Sequence, residues 1–241
     1  MNNHNKFDNG LKLIIYIKYM EYEIKLRESG NYTELEIQEK TGDNMLMNCL
    51  DTLVPIIERR IKTHHKDYSL PLLAEYWEEV LHRSLGEIGI NTTWTPTRSH
   101  AVGEDMRIEG VTRSRISCKS GQITNNREHG QRVKFNGGRS TSHETLGDKI
   151  EHFCGDHDDY YFLLAKTKNF NKTYKLIIFE SHMCRVDQLQ WDDTPSGKQW
   201  KGRGPFEAVI SKSMSAQLWT TFPLSLTENI HDIDCREQFI P

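Results

Sequence analysis

The sequence predicts an α/β fold: a mixed central β-sheet flanked by helices, with a helical N-terminal part and strands towards the C-terminal end. Three observations carry this. Two stretches before residue 90 repeat apolar residues at helical spacing. Two near-continuous apolar runs, "YYFLLAKT" and "YKLIIFESH", have the character of buried central strands. Between these blocks lie short strand-like segments and one amphipathic stretch. The resulting order of helix, strands, helix, strand, strand implies a mixed sheet with helices packed on it.

The elements follow in chain order. Asn44 to Lys66 places Leu46, Leu50, Leu53, Ile57 and Ile61 three and four residues apart, which is one apolar stripe on a helix. Pro55 is expected to kink or split it. In "SLPLLAEYWEEVLHRSLGEIG", Ser69 reads as an N-cap, Pro71 falls in the first turn, and Leu73, Trp77, Leu81 and Leu85 form the stripe. "EDMRIEG" and "RSRISCKSG" read as two strands joined by a turn near Gly110, and "RVKFNGG" as another. "HETLGDKIEHFC" is a helix with Leu146, Ile150 and Phe153 on one face. "WDDTPSGKQWKGRGPFE" reads as a polar loop, and "EAVISKSMSAQLWTTFPL" as one or two strands. No linker interrupts the chain. The expectation is one domain over 1–241, with a mainly helical part over 1–90, a core over 91–182 and a C-terminal elaboration over 183–241.

Bulk properties narrow the function. The chain has 241 residues, with 31 Lys and Arg against 34 Asp and Glu, a formal charge of −3. That balance excludes a uniformly basic, nucleic-acid-coating surface but permits basic clusters within a cleft. Cys49, Cys118, Cys154, Cys184 and Cys235 are odd in number and scattered, as reduced thiols of a cytoplasmic protein are. "LKLIIYIKYM" is too short, and too interrupted by Lys12 and Lys18, to span a membrane. His152, Cys154, Asp156 and His157 match no zinc spacing and read as residues gathered at a helix end.

The chemistry gathers in "GEDMRIEGVTRSRISCKSG", from Gly103 to Gly121. Alternate residues of a strand share a face, so Ser117 and Lys119 point one way and Ile116 and Cys118 the other. A lysine beside a carboxylate on a neighbouring strand suits phosphodiester hydrolysis. Hard oxygen ligands hold a magnesium ion, and the ammonium orients water and offsets developing charge.

"GED" followed by "ISCKSG" resembles the PD-(D/E)xK nuclease superfamily, in particular its type II restriction endonucleases. The resemblance covers roughly residues 91–178 and implies a restriction-endonuclease-like core. It assigns Asp105 as a metal ligand and Lys119 as the lysine beside the attacking water. Glu104 stands where proline is usual, and Ser117 where the second acid is usual. Some restriction enzymes carrying S-x-K here draw the missing glutamate from the following helix. That makes Glu144 the second expected ligand of Mg2+, with Glu78, Glu104 and Glu128 as other suppliers. Glu144 is equally placed to close a capping box with Thr141.

Around the site, Arg113, Arg115, Ser120, Lys134, Arg139, Ser140, Thr141 and Lys212 are expected DNA contacts. Of these, Arg139, Ser140 and Thr141 lie where a Gly-containing segment runs into a helix N-terminus able to take a phosphate. The resemblance implies a sequence-specific endonuclease of a restriction-modification system. Its partner would be double-stranded DNA with a palindromic site, bound by a homodimer or a tetramer. The other readings are a repair or recombination nuclease on the same core and a catalytically silent DNA-binding protein.

Overall fold

The computed structural model describes residues 22–29, 32–39, 45–94, 105–111, 115–126, 130–140, 145–155, 159–213 and 216–236. The chain divides into two compact units, one of residues 1–52 with 110–113 and one of the remainder. In the first, β1 (Tyr22–Ser29) and β2 (Tyr32–Glu39) pair antiparallel, with Ile24 opposite Ile37 and Leu26 opposite Leu35. The expected helical part is therefore not all helical. Alternation in "YEIKLRES" and "YTELEIQE" around a Gly–Asn link is a hairpin signal.

Four helices are described: α1 (Met45–Asn48), α2 (Leu50–Asp67), α3 (Ala74–Glu87) and α4 (Leu146–Cys154). Pro55 does not split α2, which continues through it to Asp67. Leu53, Ile57 and Ile61 are fully buried, as the stripe requires. The third helix starts at Ala74, and its N-cap is Leu73, which makes no side-chain capping bond, rather than Ser69. The link from α2 to α3 is held instead by a buried network. His65 Nε2 lies 2.8 Å from the Tyr174 hydroxyl, whose oxygen accepts the Leu72 amide at 2.8 Å. Burial pushes the Tyr174 phenol up to about 12.

The larger unit is built on one mixed sheet of eleven strands. Its strands are β3 (Thr92–Trp94), β4 (Met106–Ile108), β5 (Arg115–Asn126), β6 (Gly130–Arg139), β7 (Tyr160–Thr167), β8 (Thr173–Glu180), β9 (Gln190–Asp193), β10 (Gln199–Arg203), β11 (Glu207–Ser211), β12 (Gln217–Pro223) and β13 (Ile230–Asp234). The main order is β13-β8-β7-β5-β6-β12-β11-β10-β9, with β3 and β4 branching from β5. Among the described strands only β5 and β7 run parallel; the other pairs are antiparallel. Strands therefore outweigh helices more than expected. The supposed polar loop is the β9–β10 hairpin, whose turn holds Gly197 at φ +66°.

The sheet curls. Phe179 of β8 and Phe222 of β12 stack with ring centroids 4.5 Å apart. Three strands separate them in the hydrogen-bonded order. Four strand spacings would hold them roughly 19 Å apart in a flat sheet. The concave face carries the main core, including Val133, Phe135, Leu163, Ile177 and Ile210, with Leu146, Ile150 and Phe153 of α4 packed against it. Among the described residues no helix is long and apolar enough to cross a membrane, and none of the five cysteines forms a disulfide.

Closing the curl depends on that ring pair. Phe222→Ala is expected to cost about 3–5 kcal/mol, the usual range for emptying a buried aromatic site, read from urea denaturation of the full chain.

Candidate active site

The longest of these strands, β5, has β7 along one edge from Ile116 to Ile123. The other edge is shared. There β4 pairs with Arg115 and Ile116, and β6 takes over from Gly121 onwards. Between them the edge forks, and among the described residues no strand pairs with Ser117 to Ser120 on that edge. Gly121 stands where β6 joins: an added Cβ would lie 2.7 Å from Val133 Cγ2 and 3.4 Å from Ala165 Cβ.

Asp105, just ahead of β4, fills the fork. Its amide donates to the Ile116 carbonyl at 3.1 Å. Its Oδ2 accepts the Cys118 amide at 2.6 Å and the Ser117 hydroxyl at 3.1 Å. The Cys118 amide is a ladder donor that β4 no longer reaches, and the carboxylate replaces the missing carbonyl. Lys119 Nζ approaches the same Oδ2 at 3.5 Å, with both side chains about three-quarters or more buried. The expected pair thus meets. Ser117, fully buried, orients Asp105 through its hydroxyl. It shares the Lys119 face as the alternation predicts, but Cys118 and Ile116 are also buried, so the strand is covered on both sides here.

Glu78 joins them from α3. Trp77, 1% exposed, donates its indole N–H to the Phe162 carbonyl of β7 at 3.1 Å. Phe162 is in register with Cys118. That anchor sets the next helix residue at the level of Asp105. Burial raises the Glu78 carboxyl above its ordinary value, and the negative charge of Asp105 raises it further. The Trp94 indole, 3.5 Å from Oε2, and the Lys119 charge act against this. His82 lies one turn along α3, 2.6 Å through Nδ1 from the Thr92 hydroxyl, with its ring 5.0 Å from that of Trp94. Sequence alone put Glu78 among several candidates; the signal that singles it out is its neighbour Trp77.

The remaining expected residues are dispersed. Glu144, Glu104, Glu128, Arg113, Thr141, Asp156 and His157 lie outside the described residues. The cap of α4 is Thr145, whose hydroxyl accepts the Asp148 amide at 3.2 Å while Asp148 returns to the Thr145 amide. The expected Thr141–Glu144 box is thus not the cap of this helix; "TLGD" has the same spacing and lies nearer the apolar run.

Ser140 is 1% exposed with its amide on the Ala216 carbonyl, so it is not a surface contact. Arg139 ends β6, exposed, and the helix N-cap is Thr145 rather than a residue next to it in the chain. Arg115 lies against Asp159, Nε to Oδ2 3.6 Å. Ser120 is exposed on β5. Lys134 lies over the Trp219 ring at 5.3 Å, and Lys212 pairs with Asp193 and lies 4.5 Å over Trp200. His152 Nε2 lies 3.3 Å from the Arg139 carbonyl, a structural role.

No family model, no curated protein and no solved structure matches the chain.

Among the described residues, no group of three or more His, Cys, Asp or Glu side chains is placed to hold a metal. Two carboxylates still fit magnesium, which keeps several waters and is commonly held by one or two protein carboxylates plus phosphate oxygens. They do not fit a closed zinc site, which needs four N or S donors.

The raised Glu78 carboxyl has a consequence for stability. The folded state holds that proton more tightly than the unfolded chain, so ionising it costs stability as pH rises through the raised value. Below the ordinary glutamate range both states are protonated and the cost vanishes. Glu78→Gln is therefore expected to raise the melting temperature at pH 7 and to leave it unchanged near pH 4, followed by thermal melts across that range.

Proposed function

We propose that the chain is a magnesium-dependent endonuclease that hydrolyses phosphodiester bonds in double-stranded DNA, with Asp105, Glu78 and Lys119 as its working residues. The observation that carries this reading is the meeting of Asp105 and Lys119 at 3.5 Å across a fork in the sheet, with a second, charge-coupled carboxylate beside them. The order of elements supports it too. A helix bearing Glu78 precedes the antiparallel pair bearing Asp105 and Lys119, and after β6 a second helix leads to a parallel strand. That is a sheet with helices on it in the order the nuclease resemblance implies.

Each residue has a task. Asp105, held by the Cys118 amide and the Ser117 hydroxyl, presents its oxygens without rotamer freedom. Glu78 supplies the carboxylate that Ser117 lacks, so a glutamate from the preceding helix stands in for the one expected at Glu144. A magnesium ion bound by these two would polarise the phosphate and acidify the attacking water. Lys119 donates to that water and offsets charge developing on the phosphate oxygens. Restriction-type cutting of a palindrome by a two-fold homodimer is the form of this activity that the sequence resemblance favours.

The test is incubation of phage DNA with protein and magnesium. Discrete fragments are expected, and Lys119→Ala should slow their appearance by at least about a hundredfold, the order lost with one transition-state donor. Smears, or cutting confined to branched substrates, would replace the restriction reading by a repair nuclease. DNA binding with no cleavage under any divalent metal would leave a silent binding protein. Between the two glutamates, Glu78→Gln is expected to abolish cutting and Glu144→Gln to leave it largely intact; the reverse result would reassign the second ligand.

A further inference from the structure

Four of the six large apolar residues that stand exposed among the described residues crowd into nine positions. They are Tyr68, Leu70, Leu73 and Tyr76, where α2 turns into α3, and each is more than half exposed, Leu70 by 78%. The link that carries them is tied down from inside. His65 Nδ1 lies 2.8 Å from the Tyr68 carbonyl oxygen, and its Nε2 lies 2.8 Å from the Tyr174 hydroxyl, which also accepts the Leu72 amide at 2.8 Å. His65 and Leu72 are buried. The His64 ring stacks on Tyr68 at 4.8 Å and lies 6.2 Å from the ring of Tyr76. The backbone is therefore fixed while its apolar side chains project, which makes a rigid knob. Single exposed apolar residues are ordinary, but a contiguous group of them marks an interaction site.

Beside the knob lies a hole. A cavity of about 370 Å³ opens between α2 and α3, lined by Leu72, Tyr76 and Val80 and by Arg59, Arg60 and Arg83. Knob and hole carry opposite surplus charges. Arg59 and Arg60 both pair with Glu87, and Arg83 pairs with Glu79, so three guanidinium groups share two carboxylates. Over residues 66–76 the charged side chains are Lys66, Asp67 and Glu75, two carboxylates against one ammonium, and none of them has an ion-pair partner among the described residues. One surface thus offers a projecting apolar group with an excess negative charge. Next to it lies a recess with apolar lining and an excess positive charge.

We propose that this surface joins two copies of the chain about a two-fold axis. A two-fold interface sets one patch against itself, so that residue i meets j and j meets i. The knob of each copy then enters the hole of the other, with Leu70 and Leu73 against Leu72 and Val80, and Asp67 and Glu75 towards the arginines. A second copy is the occupant that answers both features at once, because it brings a hole for this knob and a knob for this hole. On α3 the residues Tyr76, Glu79 and Arg83 follow one stripe, while Glu78 and His82 follow another. Pairing and the candidate site therefore use different sides of one helix. The occupant follows from the surface itself and does not depend on the nuclease reading.

The test is sedimentation velocity of the full chain without DNA over a concentration series. The parent is expected to run as a dimer. Leu70→Asp combined with Leu73→Asp is expected to raise the dissociation constant at least about thirtyfold, the loss that one interface hot spot produces. Both side chains face water in the single copy, and an unchanged near-ultraviolet circular dichroism spectrum shows that the variant stays folded. Leu226→Asp, at an exposed leucine elsewhere on the chain, is expected to dimerise as the parent does. Glu75→Arg is expected to weaken the dimer and Arg83→Glu in the same chain to restore it. The two positions lie more than two turns apart on one helix, so they can meet only across the interface. A parent that stays monomeric at every concentration, a dimer indifferent to the Leu70 and Leu73 changes, or an equal loss with Leu226→Asp overturns the proposal. Cutting of DNA by a monomeric chain overturns it alone. A dimer split by these variants, in a chain that never cuts, upholds it and removes the nuclease reading.

Discussion

Everything in the larger unit depends on how β5 satisfies its edges. One edge is complete along β7, and the other is divided between β4 and β6. A divided edge leaves main-chain groups without a ladder partner, and an unsatisfied buried donor costs on the order of 1–3 kcal/mol. Asp105 meets that need at the Cys118 amide. The fold therefore requires an acceptor where the proposed chemistry would require a ligand, and one carboxylate would answer both. Its neighbour on the strand, Lys119, then has its partner fixed by the same geometry.

The cost of the site falls on Glu78. Two carboxylates share one ammonium, and burial disfavours the charge of the less well supported acid. Such crowding of like charges is characteristic of sites that wait for a cation or a substrate to balance them. The surrounding packing keeps it in place: Trp77 docks α3 on β7, and Trp94 reaches the carboxylate from β3.

Much of this was legible in the sequence where one pattern spoke for one environment. The apolar runs of β7 and β8 can only be buried strands, and Phe162, Leu163, Ile177 and Ile178 are fully buried. The alternation around Lys119 correctly put Ser117 beside it. What escaped was decided by partners far along the chain. The β9–β10 hairpin looked like a loop because its outward residues are polar and its inward Trp191 and Trp200 are isolated from other apolar positions. Ser140 reads as a surface serine, yet β12 comes up against it through Ala216. Glu78 comes near Asp105 because Trp77 finds a carbonyl on β7, a contact between residues 85 apart in the chain.

The curl of the sheet also shapes how the chain must come together. Phe135 and Phe179 are made well before Phe222, which completes their packing. At roughly 5–20 residues per second of synthesis, that interval of about forty residues lasts seconds. Throughout it the concave face of β5 to β8 has no lid from β12. A newly made chain therefore passes through a stage with a greasy trough and a free β6 edge, the state in which chaperone capture competes with strand-swapped pairing between neighbouring nascent chains.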